Sequence, residues 1–521
     1  MRVADFFDAA VERYQDKTCL IFGKDALSYK EVQSLSSRAA KGWQSIGVKT
    51  GDRVMIWSPN SALAYIGILS LQRIGVVIVP QNPRTTLAQI HNIALRFNCN
   101  FLLVDQSLIA DLTEAQTSLP MMRSIVLIEG SSGNVISLRQ WFSEFDESYA
   151  QILPDSDRIV RISTTSGTSG EPKGIVTTEL SHETVVATIL TSLQYNAAPV
   201  YLVAAPLSHV AGHLIMAHLV LGGTIVFIER ADPDALIKAI AEHAVTTVFI
   251  PPTVLYRLLA KPDLQRESFV SMRYMIIGGA PSAVSKLADA IHRIGPIIAQ
   301  FYAQGEAPAV VTLMTSRDYL DGSSGRVDEA RLASCGRDTL FMRTTILDDE
   351  GRSLEAGEVG EIAVRGNNLM KGYLDAGQIN PLDRVDGWQR TGDVGYKDKD
   401  GFLFVVDRKK DMIISGGFNV FPAEVEAVVL GHPDVEECAV IGIPDDEWGE
   451  TVKAVVQCKL TMKISESELT EQLISQCRLV LGPIKSPKSV ECWAEIPRSP
   501  VGKVLRRQVR DHFWYDAAKK I

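Results

Sequence analysis

The sequence predicts an α/β protein of more than one domain. A large N-terminal part of layered sheets and helices is followed by a small β-barrel-like subdomain and a smaller α+β part at the C-terminus. Three observations predict this. The chain has 521 residues, 46% of them hydrophobic, which is more than one core accommodates. Helical-period segments alternate with short apolar runs up to about residue 400, the pattern of largely parallel sheets covered by helices. Residues 335–406 then switch to short strands with glycine-rich turns, and five consecutive charges follow at 407–411.

Taken in order, residues 62–74 read as a helix and 76–79 as a buried strand ended by Pro80. Short apolar runs at 101–104, 201–204, 224–228, 247–250 and 274–277 read as further strands, with helical stretches such as 233–243 between them. Residues 357–364 fall in the β-rich segment. The charges at 407–411 mark either a solvated turn or a linker. The remaining tail has single-domain size, with helices expected from Pro422 and Ser465 and a strand at 452–458.

Composition excludes several function classes. A net charge of −9 offers no basic face for nucleic acid. The seven cysteines form no C-x-x-C pair, which predicts reduced thiols and no zinc site. The first residues are charged, with no long apolar core behind them, so no signal peptide is expected. No apolar run has the length of a membrane span. The expectation is a cytoplasmic, multidomain, soluble protein, monomer or homodimer.

Residues 163–174, STTSGTSGEPKG, concentrate hydroxyls, glycines and Lys173 in one loop. Glycines let backbone N–H groups approach an anion, hydroxyls donate further bonds, and the ammonium supplies charge. The spacing is not that of a Walker A loop, and Ile175-Val176-Thr177-Thr178 reads as a strand rather than a helix leaving it. Composition alone leaves a phosphate loop or a Ser/Gly-rich connector open.

Four further segments bear on that choice: Gln300-Phe301-Tyr302-Ala303-Gln304-Gly305-Glu306, Thr391-Gly392-Asp393, residues 407–419 (DRKKDMIISGGFN), and residues 497–503 (PRSPVGK). Together with the first loop, in this order and at these separations, they resemble the adenylate-forming ligase superfamily. That superfamily includes acyl-CoA and aryl-CoA synthetases, peptide-synthetase adenylation domains and beetle luciferase. The resemblance extends from about residue 5 to about residue 510. It implies attack of a carboxylate on the α-phosphate of ATP, release of pyrophosphate, and displacement of AMP from the acyl-adenylate by a nucleophile, commonly coenzyme A. Such chemistry asks for positioning and charge neutralisation.

The same resemblance implies the site. Thr165, Ser166, Gly167, Thr168 and Lys173 hold the β- and γ-phosphates, and Glu306 holds Mg²⁺. Tyr302, with Gly279 and Ala280 on the other side, borders the adenine. Asp393 accepts from the ribose hydroxyls, with Arg408 nearby. Lys503 bridges carboxylate and ATP during adenylation. Residues 1–409 form the ATP- and acid-binding domain. Residues 410–521 form a mobile lid that turns about Lys410, replacing Lys503 by the Gly416-Gly417 loop.

His209 matches a family position bordering the acyl pocket, and His213 shares a face with it if the segment is helical; a histidine satisfied within the core is the other reading for His213. No acidic partner for an amino-acid ammonium stands out. Ala303 and Gly305 depart from the family's common Gly and Thr. The Ala303 methyl narrows the acyl passage, which favours a small, medium or cyclic acid. Gly417 and Trp448 match positions of the pantetheine tunnel. Ile484, however, stands where relatives usually carry an aromatic that helps hold the CoA nucleotide, and an isoleucine does not stack on adenine. Coenzyme A is therefore the leading acceptor. The runner-up is direct transfer to an amino acid amine, as in the coronafacate ligase-like branch.

Overall fold

In the computed structural model all residues are described except 110–111, 131–134, 167–171, 322–323, 376, 461, 499–503 and 519–521. The chain divides into two compact units, Met1–Thr344 with Val364–Gln389, and Thr345–Ala363 with Arg390–Ile521.

The first unit carries two large sheets. In the nine-stranded sheet the order is Arg337–Asp338, Thr312–Met314, Ile298–Tyr302, Tyr274–Ile277, Thr247–Ile250, Val200–Val203, Thr224–Phe227, Thr18–Phe22, Asp25–Ser28. Its inner pairings are parallel. The eight-stranded sheet joins the parallel strands Val77–Gln81, Arg53–Trp57, Phe101–Val104 and Ser124–Leu127 to the antiparallel hairpin Ile159–Ser166/Pro172–Thr178. The expected helix at 62–74 is Ala62–Arg73, and with Val210–Val220 it is buried almost all round, as its continuous apolar sequence requires. Both pack into a core shared with the faces of the two sheets.

Pro80 does not end its strand, as the sequence suggested; the strand continues to Gln81 with Pro80 opposite Ile56. On the other side the strand pairs with Ile159–Ser166 only at Ile78 opposite Arg161, so the missing Pro80 N–H costs no ladder bond there.

The β-rich segment is a four-stranded sheet of Met342–Leu347, Gly360–Gly366, Gln389–Lys397 and Leu403–Arg408. The C-terminal part of the second unit has the antiparallel pair Val435–Asp445/Gly449–Cys458 at its centre, flanked by Ile413–Ser415 and Ser489–Trp493. Helices Pro422–Val429 and Glu466–Lys485 contribute Val425, Val429, Leu469 and Leu473 to its core. Among the described residues no helix is long and apolar enough to cross a membrane.

Candidate active site

Four strands of the nine-stranded sheet, Val200–Val203, Thr247–Ile250, Tyr274–Ile277 and Ile298–Tyr302, run parallel. The segments leaving their carboxyl ends gather along one edge, where open parallel sheets bind ligands. The segment to His209 follows the first strand, Gly278-Gly279-Ala280-Pro281 the third, and residues 303–306 the fourth. Gly279 has φ +86° and Ala280 is exposed, while Tyr302 closes its strand at 8% exposure.

The hairpin approaches this chemistry from the second sheet. In its register Arg161 lies opposite Thr177, Ser163 opposite Ile175 and Thr165 opposite Lys173. Alternate residues and their antiparallel partners share a face, so Lys173, Ile175, Thr177 and Arg161 line one side. Lys173 Nζ stands 5.8 Å from the Tyr373 ring centroid, and the Tyr373 hydroxyl donates to Glu306 Oε1 at 2.6 Å. Tyr373 thus connects a half-buried cation to a half-buried carboxylate, a link the sequence did not signal. A Cβ on Gly305 would meet Ile175 Cδ1 at 2.4 Å. The departure from threonine is matched by the bulk of Ile175, which is 1% exposed.

At the other end of the same hairpin face the structure holds a feature the sequence reading missed. Arg161 is 5% exposed, with Nε donating to Ser163 Oγ at 2.9 Å and Nη2 donating to the Ser208 carbonyl at 2.5 Å. It has no carboxylate partner among the described residues, and burial draws its pKa down to about 10. The available signal was a charge inside the apolar run Ile159-Val160-Arg161-Ile162.

Arg161 lines a cavity of about 40 Å³ together with Gln72, His182, Leu207, His213 and Met216. Burial first, and the guanidinium second, hold His182 at about 3 and His213 well below the ordinary histidine value. His182 Nε2 meets Thr177 Oγ1 at 3.1 Å, and its ring centroid lies 5.3 Å from that of His213.

His209 is the residue before helix Val210–Val220, with φ −115° and ψ −148°. It therefore does not share a helix face with His213, as the sequence allowed. Its Nδ1 lies 2.8 Å from Ser208 Oγ. The side chain is solvent-exposed, and desolvation by the atoms around it, together with Arg161, brings its pKa to about 4. Ala303 is half-buried and packs against the first unit's main core.

In the second unit Asp393, 5% exposed, stands opposite Arg408 in a strand pair, and Arg408 Nε reaches Asp393 Oδ1 at 2.5 Å. Lys410 is exposed, whereas Lys409 is tied to Asp349 at 2.8 Å and Glu361 at 3.2 Å. Gly416 donates its N–H to the Trp448 carbonyl at 2.9 Å, and a Cβ there would fall 2.3 Å from the Trp448 ring. The neighbouring Gly417, φ +82°, has open space beside it. Ile484 packs against the second unit's core. Gly167, Thr168 and Lys503 lie outside the described residues, and Thr165 and Ser166 are described by backbone alone.

The chain is similar to known proteins over nearly its whole length. Residues 7–374 match the AMP-binding enzyme family and residues 424–503 match the AMP-binding enzyme C-terminal domain. The chain is 32% identical to a medium/long-chain-fatty-acid–CoA ligase, FadD8, of Mycobacterium tuberculosis, over 98% of this chain and 90% of that one. It is also 32% identical to a feruloyl-CoA synthase of an Amycolatopsis species, over 95% and 96% of the two chains. Among solved structures, the amide bond synthetase McbA from Marinactinospora thermotolerans superposes with a TM-score of 0.84 at 27% identity, covering 98% of this chain and 100% of that one.

Proposed function

This chain belongs to the AMP-binding enzyme family of ATP-dependent, adenylate-forming ligases, and on that premise we propose that it joins a small, medium or cyclic carboxylic acid to coenzyme A. The observation that carries the site is the contact chain from Lys173 through Tyr373 to Glu306. A carboxylate oxygen of the acid attacks the α-phosphorus of ATP, and the bond to pyrophosphate breaks. The CoA thiol then attacks the acyl carbonyl, loses its proton, and AMP leaves.

Thr165, Ser166, Gly167, Thr168 and Lys173 hold the β- and γ-phosphates, and the Lys173 ammonium offsets part of their charge. Among the described residues no three His, Cys, Asp or Glu side chains gather into a metal cage. Glu306 fits the other kind of site, in which Mg²⁺ takes one protein carboxylate and the remainder of its oxygens from phosphates and water. Such an ion offsets the charge that builds on the leaving pyrophosphate. Gly279, Ala280 and Tyr302 border the adenine, and Asp393, oriented by Arg408, accepts from the ribose. Residues 410–521 act as a lid turning at Lys410, which brings Lys503 to the reacting carboxylate and afterwards Gly417 and Trp448 to the acceptor. The use of ATP and CoA supports a cytoplasmic location.

Transfer to an amine is the second reading. It is favoured by Ile484, which is taken up in packing against the core, and by the similarity to an enzyme named an amide bond synthetase. The test is mass spectrometry of a competition reaction with MgATP, a panel of carboxylic acids, CoA and amino acids. An acyl-CoA product is expected. An acyl–amino acid amide formed equally well without CoA moves the protein to the second reading. Acid-independent pyrophosphate release, or none with any acid, rejects both.

A further inference from the structure

A buried guanidinium without a counter-charge is costly, and unlike a lysine it does not escape by giving up its proton. Arg161 is 5% exposed and spends its donors on two neutral oxygens, one hydroxyl and one carbonyl, while Nη1 has no hydrogen-bond partner among the described residues. Among the described residues no acidic side chain lines the cavity it faces, and the histidines there are neutral. His213 also makes no hydrogen bond among the described residues, and a neutral imidazole offers an N–H donor. No described residue supplies the negative charge this cavity lacks.

We propose that Arg161 receives a second carboxylate on the acid substrate, so that the enzyme's preferred acid is a medium-length dicarboxylic acid. This deepens the ligase reading above and rests on it for the fate of the first carboxylate. The cavity's volume, about 40 Å³, suits one carboxylate group rather than a chain. The hairpin supplies a ruler. Arg161 stands opposite Thr177, and Lys173 lies four residues further along that strand on the same face, a span of roughly 13 Å. One carboxylate is activated at the α-phosphate, next to the phosphates that Lys173 holds, while the other pairs with the guanidinium. The pairing is a charge-assisted bond in a buried site, and a monoacid of equal length leaves the cation unpaired.

The test compares succinate, adipate, suberate and sebacate with octanoate, in the full-length wild type and in the Arg161→Met and Arg161→Lys variants. Two readouts are taken, acid-dependent pyrophosphate release and the melting temperature with each acid alone. Wild type is expected to favour suberate or a near neighbour over octanoate by about a hundredfold or more in kcat/KM. Arg161→Met collapses or inverts that ratio, and Arg161→Lys keeps part of it. Suberate raises the melting temperature of wild type and not of Arg161→Met.

A wild-type preference for octanoate overturns the inference, and so do equal losses on both acids in Arg161→Met, which mark a role confined to fastening the Ser208 carbonyl. If no acid releases pyrophosphate while the Arg161-dependent suberate shift persists, the ligase reading fails and the anion site stands. If acids are activated without an Arg161-dependent preference, the anion site fails and the ligase stands.

Discussion

Two arginines, one in each unit, solve the same problem in opposite ways. Arg506 in the second unit meets Glu426, Asp407 at 3.4 Å and Asp411 at 3.7 Å, so it binds carboxylates on either side of Lys410. Hydrogen bonds and attraction to Glu426 outweigh its burial, and its pKa is raised. Arg161 in the first unit is the more buried of the two and has neutral partners only, so its pKa is lowered. The difference separates a charge that the fold has already compensated from one that it leaves for a ligand.

The comparison breaks if the two arginines respond alike to removal. Arg506→Met leaves Asp407, whose side chain is 2% exposed, and Glu426 without their cation. The expected loss is about 3–5 kcal/mol in urea unfolding of the second unit. A loss under about 1 kcal/mol would place Arg506 among inert surface pairs.

Acid sharpens the contrast. His182 is held at about 3, far below its ordinary value near 6.5, so below that value the unfolded chain takes up a proton that the folded state refuses. Its stability contribution is present above about 6.5 and declines as pH falls, by about 2 kcal/mol at pH 5. Asp407 in the second unit works the other way. Burial, against the pull of Arg506, raises its folded pKa, so its contribution is present at low pH and lost as pH rises through that value. Denaturant unfolding at pH 7 and pH 5 is expected to show a first-unit loss that His182→Asn reduces by that amount.

A smaller effect follows from giving Arg161 an internal partner. Gln72 lines the same cavity, and its Oε1 is buried without a hydrogen-bond partner among the described residues. Gln72→Glu is expected to abolish the suberate-induced thermal shift while changing unfolding free energy by less than about 1 kcal/mol, because the new charge finds a cation already waiting. Smallest of all is the effect of Arg161→Met on the folded protein without ligand, neutral to slightly stabilising, since an apolar side chain relieves an uncompensated charge. A cost of several kcal/mol there would make Arg161 a second Arg506.

Much of this molecule was legible in its residues. The short apolar runs at 101–104, 247–250 and 274–277 are strands because their side chains are buried on both faces of parallel sheets, which is what a continuous apolar run encodes. Pro80 misled because whether a proline ends a strand depends on whether its N–H side is paired, a property of the neighbouring strand. The placement of His209 depended on where a helix begins, and its side chain makes no capping hydrogen bond that would have marked the start. Tyr373 carried no motif at all. Its place between Lys173 and Glu306 comes from its strand pairing beside Ile175.

The sequence by itself determined the family, the order of its motifs and the alternation that builds the two large sheets, because each is written in local spacing and composition. Only the tertiary structure decided which charges are paid in full. Arg506 meets Asp407 across 99 residues of chain, and Arg161 finds the Ser208 carbonyl across 47 and no carboxylate among the described residues. Electrostatic compensation depends on distance and burial in space, and neither is a property of neighbours along the chain.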